Sequence, residues 1–323
     1  MTKKKPVMDR VMTGELCRVT EAAAVAAARL RGRGDEKAAD QVAVDAMRTE
    51  LNKLDMDGTV VIGEGERDEA PMLYIGEKVG TGNGPAVDIA LDPLEGTTLT
   101  AKAMGNALAV VAIAEAGSFL HAPDTYMQKI AIGGGYPKGI VDLDASAGDN
   151  IRAVADAKGV APEDITACVL DRPRHMEIIE GIRETGAAIQ LITDGDVAGV
   201  IATSTPSTGV DIYMGVGGAP EGVLAAAALQ CIGGQMQGRL VTTSDAQKER
   251  AAKMGVEQFD KKFEMDELAN GDVLFAATGV TSGSMLEGVR FENGKIFTET
   301  VVMRAQHGTV RWIKAQHNAD KFS

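Results

Sequence analysis

The chain is poor in the residues that several common chemistries need. Its 323 residues include only three cysteines, Cys17, Cys168 and Cys231, widely spaced and without a C-x-x-C pair. That spacing argues against a disulfide framework or a thiolate metal site, and it reads as three small apolar residues in a reducing cytoplasm. The four histidines, His121, His175, His307 and His317, give little material for a histidine-based zinc site. There is no G-x-S-x-G elbow and no plausible Cys–His spacing, so nucleophilic hydrolase chemistry has no footing. No apolar run reaches the length of a membrane span, and the basic start MTKKKPVMDRVM is followed by no apolar core of a secretory signal. A soluble, cytoplasmic protein with no membrane partner is therefore expected. Positive charge is also scarce: 33 Lys and Arg against 46 Asp and Glu leave a net charge of −13. Nucleic acid, which needs a basic footprint, is disfavoured. A phosphorylated substrate is disfavoured too, unless divalent cations bind first and invert the local charge logic.

What is present is a large apolar fraction, 45%, enough for one large domain or two halves, with no internal repeat or low-complexity tract. The segment TEAAAVAAARL (20–30) is a helix by propensity. A second helix follows from Asp35, a plausible N-cap, with Gly58 expected just past its end. On it Val44, Met47, Leu51 and Leu54 recur at helical spacing, and Asp40 continues that apolar stripe. An acid on a buried face needs a partner, although a first-turn carboxylate favoured by the helix dipole is the plainer alternative. Strands are expected at 59–62, 87–91 and 108–114. From about residue 165 a strand-then-helix pattern repeats three times, the signature of a mostly parallel sheet. Ligands of such sheets bind beyond the carboxyl ends of the strands, which places DRPRH, TDGD and GVGGAPEG on one edge. After residue 271 the chain returns to strands, with Asn293-Gly294 as a hairpin turn, and this tail is expected to pack back onto earlier strands.

One stretch stands out, VDIALDPLEGTTLTAKAM (87–104). Strand alternation puts Val87, Ile89 and Leu91 on one face and Asp88, Ala90 and Asp92 on the other. Pro93 cannot donate to a ladder, so the strand should stop there and present Asp92 at its end. Gly96 permits a tight turn, and Thr97 falls near the start of a short helix whose free N–H groups suit an anion. Two hard oxygen ligands and a hydroxyl in one turn point to a cation such as Mg²⁺ or Mn²⁺. The acidic turn VVIGEGERDEAP (60–71), with Glu64, Glu66 and Asp68, is a weaker signal of the same kind. GVGGAPEG resembles a dinucleotide fingerprint but carries Glu221 where the third glycine belongs, so it reads as a glycine loop open to close ligand approach. Asp194 and Asp196 are helix caps or grips for sugar hydroxyls. Arg172 and Arg174 flank Pro173 at a strand end, where a guanidinium pair favours phosphate. His175 beside them reads as a helix-start residue rather than a catalyst.

At DPLEGT (92–97) the chain resembles the lithium-sensitive, metal-dependent sugar and inositol phosphatase superfamily, and more closely class II fructose-1,6-bisphosphatase. The resemblance rests also on GRGDEKAAD (32–40), the segment 58–82, NALAV (106–110), APDTYMQK (122–129), RPRH (172–175), DGDVA (194–198) and GGAPEG (217–222), in family order across most of the chain. It implies a layered α/β/α/β/α fold of two halves with the active site between them. The first half, 1–150, is α+β and carries the DPLEGT site. The second, 151–323, is α/β with the substrate loops, its last strands returning to the first. The resemblance further implies that Asp40 and Glu64 bind one divalent metal and that Asp92, Glu95 and Glu221 bind a second. Thr97 is then the catalytic hydroxyl, with Asp40 a candidate acceptor of the water proton. Glu95, Gly96, Thr97, Tyr126, Arg172, Pro173, Arg174, Asp194, Gly195, Asp196 and Gly218 are the substrate contacts. Arginine at 172 departs from the lysine of some relatives. The implied reaction is metal-dependent hydrolysis of the 1-phosphate of fructose 1,6-bisphosphate by a homodimer or homotetramer. Sedoheptulose 1,7-bisphosphate as a further substrate, an inositol phosphate substrate, or a sugar-phosphate sensor on the same fold are the alternatives.

Overall fold

The computed structural model describes residues 11–65, 72–242, 244–256 and 258–322. The chain divides by its contacts into one unit of Met1–Phe119 with Gly271–Ser323 and a second of Leu120–Asn270. The boundary therefore lies near 119, not near 150 as the sequence suggested.

In the first unit the order begins α1 (Met12–Ala28), α2 (Glu36–Leu51), β1 (Asp57–Ile62), β2 (Lys78–Val79), β3 (Ala86–Glu95), α3 (Thr97–Ala101) and β4 (Leu108–Glu115). The second unit contains β5 (Tyr126–Ile132), α4 (Ala147–Lys158), β6 (Thr166–Leu170), α5 (Met176–Arg183), β7 (Ala188–Ile192), α6 (Asp196–Ala202), β8 (Ile212–Gly218), α7 (Ala219–Ile232), β9 (Gln235–Val241), α8 (Asp245–Lys253), β10 (Phe263–Glu264) and α9 (Met265–Leu268). The chain then returns to the first unit with β11 (Leu274–Gly279), β12 (Arg290–Glu292), β13 (Lys295–Arg304) and β14 (Thr309–Asn318).

The sheet of the first unit is built around β3, which pairs in parallel with β1 and antiparallel with β4. β11 pairs with β4 and with β13, so the tail is tied to the strand that follows the DPLEGT turn. Asn293 and Gly294, at φ 50° and 71°, turn β12 into β13, the left-handed pair a tight hairpin requires. α1 and α2 bury Leu16, Val19, Ala23, Val44, Met47 and Leu51 in one core with Ile89, Leu91 and Val111 of the sheet. α2 opens where expected, the Asp35 carboxylate accepting from the Ala38 amide at 3.0 Å. It ends at Leu51, and Gly58 instead lies in β1.

The second unit has a six-stranded sheet in the order β10-β9-β5-β8-β6-β7. Only β7, β6 and β8 run parallel, while β5 and β9 are antiparallel to their neighbours, so the sheet is mixed rather than mostly parallel. Alternation along the strands sorts its two faces. Ala167, Val169, Ile212 and Met214 pack in one core with Ile151, Val154, Ile179 and Ile182 of α4 and α5. Cys168 and Tyr213 face the other way, against Gly199 of α6, where a Cβ would lie 3.2 Å from the Cys168 sulfur. All three cysteines are buried, and none is in a disulfide. Burial pushes the Cys17 and Cys168 thiols up to about 12, so neither ionises near neutral pH. Among the described residues no helix is long and apolar enough to cross a membrane.

Candidate active site

In the first unit β3 does not stop at Pro93. It continues to Glu95 through a register shift, with Asp92 opposite Val110 and Glu95 opposite Leu108. One extra residue on β3 therefore opposes β4, which is a bulge. The proline is admitted there because a bulge leaves a ladder position without a partner. The Asp92 carboxylate accepts from the Leu94 amide at 2.9 Å and so fixes the kink. The bulge re-aims two side chains: one ligand oxygen of Asp92 and one of Glu95 lie within 4.8 Å of each other. Glu95 is buried and Asp92 half-buried. Two carboxylates this close favour a cation between them, and their hard oxygens suit Mg²⁺ or Mn²⁺.

Gly96 then takes φ 88°, the left-handed conformation that lets α3 start at Thr97 within one residue of the strand. α3 has five residues. Its last carbonyls are capped by the loop before α2: the Gly32 amide donates to Thr100 O at 2.9 Å and the Gly34 amide to Ala101 O at 3.0 Å. That loop leads directly into α2, so the end of α3 is tied by backbone bonds to the segment that precedes α2. Asp40 is half-buried, and burial raises its carboxyl above the ordinary carboxylate range. β1 and β3 are parallel neighbours with Ile62 opposite Ala90. Glu64 and Asp92, each two residues further on, therefore lie at the same end of this strand pair. Glu64 is half-buried and its amide donates to Leu73 O at 3.0 Å. Glu66 and Asp68 lie outside the described residues.

In the second unit the parallel strands β6, β7 and β8 bring Arg172–Arg174, Asp194–Asp196 and Gly218–Glu221 to one sheet edge. The glycines of GGAPEG are there for space. A Cβ at Gly217 would collide with the Asp196 carboxylate, and one at Gly218 with the Glu221 carboxylate. Glu221 sits in the first turn of α7, beside Pro220. The Asp196 carboxylate is engaged inside the unit, taken by Lys129 Nζ at 2.5 Å and the Tyr213 hydroxyl at 3.3 Å. Lys129 Nζ also donates to Gly218 O at 2.8 Å. Asp194 is half-buried, and its carboxylate accepts from the Gly195 amide at 3.1 Å. Arg174 donates to Val216 O through Nε at 3.1 Å and Nη2 at 2.7 Å. Its guanidinium lies 4.9 Å from the centre of the exposed Tyr126 ring, a cation–π contact that holds both side chains. Arg172 is half-buried, its Nη1 donating to Asp171 O at 3.0 Å.

Lys129 was not singled out by sequence reasoning. It is 1% exposed and joins Asp196 to the carbonyl beside Glu221. Truncating one partner of a buried ion pair leaves the other charge unpaired, so Lys129→Ala is expected to cost about 3–5 kcal/mol in urea unfolding. The double variant Lys129→Met, Asp196→Leu should recover most of that loss. A double variant as unstable as Lys129→Ala would show that packing, not charge, governs the position.

Paired carboxylates at the end of β3 suit a divalent cation, and arginines at a sheet edge suit a phosphate, the donor types of a metal-dependent phosphatase. The family model of bacterial, glpX-encoded fructose-1,6-bisphosphatase matches residues 10–317. The chain is 45% identical over 338 aligned positions to D-fructose 1,6-bisphosphatase class 2/sedoheptulose 1,7-bisphosphatase of Synechococcus sp. (strain JA-3-3Ab), covering 97% of each. It is also 45% identical over 328 positions to fructose-1,6-bisphosphatase 1 class 2 of Escherichia coli (strain K12), again covering 97% of each. The chain belongs to the bacterial class II fructose-1,6-bisphosphatase family, whose members are metal-dependent phosphatases.

Proposed function

We propose that this chain hydrolyses the 1-phosphate of fructose 1,6-bisphosphate to fructose 6-phosphate and phosphate. The Asp92–Glu95 bulge, ending on Thr97 in a chain that matches the family over nearly its whole length, carries the reading. Asp40 and Glu64 would hold one divalent cation, Mn²⁺ or Mg²⁺, and Asp92, Glu95 and Glu221 a second. Cations held there would neutralise phosphoryl oxygens, acidify water and steady a leaving alkoxide. The Thr97 hydroxyl would align the attacking water, and the Asp40 carboxylate is the candidate acceptor of its proton. Glu95, Gly96 and Thr97 touch the reacting end of the substrate. Tyr126 and the Arg172–Pro173–Arg174 turn grip the phosphate that does not react. The Asp194–Gly195–Asp196 turn and Gly218 line the sugar. The working protein is read as a cytoplasmic homodimer or homotetramer.

The dual naming of the Synechococcus relative favours sedoheptulose 1,7-bisphosphate as an additional substrate. A phosphate-release assay crossing Mg²⁺ and Mn²⁺ against fructose 1,6-bisphosphate, sedoheptulose 1,7-bisphosphate and an inositol phosphate tests the proposal. Metal-dependent release from the first is expected. Binding of the sugar phosphate without release would make the protein a sensor instead.

A further inference from the structure

His175 has no part in the chemistry above, yet it is fully buried at the end of a short turn, Pro173–His175, that leads into α5. Its imidazole bridges two parallel strands. Nδ1 lies 2.7 Å from the Leu170 carbonyl oxygen at the end of β6, and Nε2 lies 2.8 Å from the Val216 amide nitrogen in β8. A backbone N–H can only donate, so Nε2 is the acceptor. The neutral ring then carries its proton on Nδ1 and donates it to Leu170. Burial above all, and after it the Arg174 and Arg172 charges, keep the imidazole below its ordinary value, which suits the neutral form. With both nitrogens occupied inside the unit, the ring cannot serve as an acid, base or nucleophile toward substrate.

The partner of that ring is the informative part. Val216, whose N–H is taken by His175, gives its carbonyl to Arg174, and Arg174 lies over Tyr126. An exposed arginine on a loop would ordinarily sample many rotamers, at a large entropic cost when a ligand orders it. Here two N–H groups of the guanidinium are spent on Val216, and the remaining donors of the planar fork are left for a ligand. Arg174 and His175 are consecutive, so the place where the Arg174 backbone leaves the turn is set by the buried ring.

We infer that His175 is a positioning residue: it anchors the Arg172–Pro173–Arg174 turn to β6 and β8 and thereby fixes Arg174 and Tyr126 for the phosphate that does not react. The inference rests on the reading of that turn as the far-phosphate clamp. It makes His175 a determinant of affinity for one end of the substrate and not of turnover.

The test compares two probes that separate the ends. Fructose 6-phosphate carries only the far phosphate, and inorganic phosphate titrated in the presence of saturating fructose 6-phosphate reports the reacting end. Both are titrated calorimetrically into the metal-loaded, full-length protein. His175→Phe keeps the ring but loses both hydrogen bonds; it is expected to weaken fructose 6-phosphate about tenfold while inorganic phosphate changes by less than about twofold. KM for the bisphosphate should rise by a similar factor with kcat nearly unchanged. His175→Gln, which keeps one donor and one acceptor, should restore most of the affinity. Should His175→Phe not fold, His175→Asn, which can reach Leu170 but not Val216, gives the same comparison. Equal weakening of both probes, or a kcat loss without a KM change, would overturn the inference. Arg174→Ala run in parallel judges the reading beneath it. If Arg174→Ala leaves fructose 6-phosphate affinity intact, the clamp is misplaced and the inference falls with it. If Arg174→Ala weakens binding and His175→Phe does not, the clamp stands and His175 is no anchor.

Discussion

Asp92→Asn is expected to cut metal-dependent phosphate release by about 10³-fold or more, because losing a direct ligand costs more than the 10–100-fold typical of groups behind the ligands. The same change should leave the metal-free protein at least as stable as wild type. Two features separate these outcomes. The Asp92 side chain fixes the bulge by accepting from the Leu94 amide, and a carboxamide oxygen can accept that bond equally well. The charge is what changes. Asp92 and Glu95 bring oxygens within 4.8 Å of each other, so in the absence of a cation the native pair repels, and the neutral amide relieves it. Metal binding reverses the order, since a ligand that binds only the folded state stabilises it in proportion to the logarithm of its concentration over Kd. Thermal unfolding across a Mn²⁺ titration should therefore show a large rise for wild type and a much smaller one for the variant. Wild-type activity in the variant, or an undiminished Mn²⁺ shift, would remove Asp92 from the cation site.

Much of this arrangement is legible in the sequence because it is local. Strand alternation from Val87 to Leu91, the Asp35 cap and the Asn293-Gly294 turn each need only a few neighbouring residues. The departures are all nonlocal. Pro93 reads as a stop signal, yet the pairing partner decides, and β4 tolerates the extra residue as a bulge. The direction of β5 and β9 cannot be read from either strand alone, because it is fixed by pairing with β8 and with each other. The domain boundary moves to 119 for the same reason: β5 joins the second sheet. Gly58 looks like a helix terminator but is strand residue, which shortens α2 to Leu51.

The side chains missed in the second unit did leave a trace. Lys129 lies on the Met127–Ala131 face of β5, all three buried, and a charge within an apolar alternation demands a partner. A buried charge at Lys129 on its strand needs a partner for the same reason as Asp40 on its helix. The alternation does not point to Asp196 as the partner, because that pairing spans 67 residues of sequence. His175 left less: only its contacts with Leu170 and Val216 distinguish an anchor from a helix-start residue.

Thr97→Ala separates positioning of the water from binding of the phosphate. Turnover is expected to fall about 10²–10⁴-fold, the usual worth of a positioned proton-transfer group, with KM and the Mn²⁺ stabilisation little changed. The fold should survive, since Thr97 is half-buried at the first position of a one-turn helix and alanine is the better helix former. The bulge and the left-handed Gly96 precede it and do not use its side chain. Thr97→Ser supplies the control: the hydroxyl returns without the methyl, so most of the turnover should return with it. The pattern of kinetic constants then decides the role. A raised KM at full kcat would make Thr97 a phosphate contact whose interaction is equal in ground and transition states. A collapse of the Mn²⁺ shift would instead make it part of the cation site. Only a loss confined to kcat, repaired by serine, fits a hydroxyl that aligns water between the Asp92–Glu95 bulge and the carboxylate of Asp40.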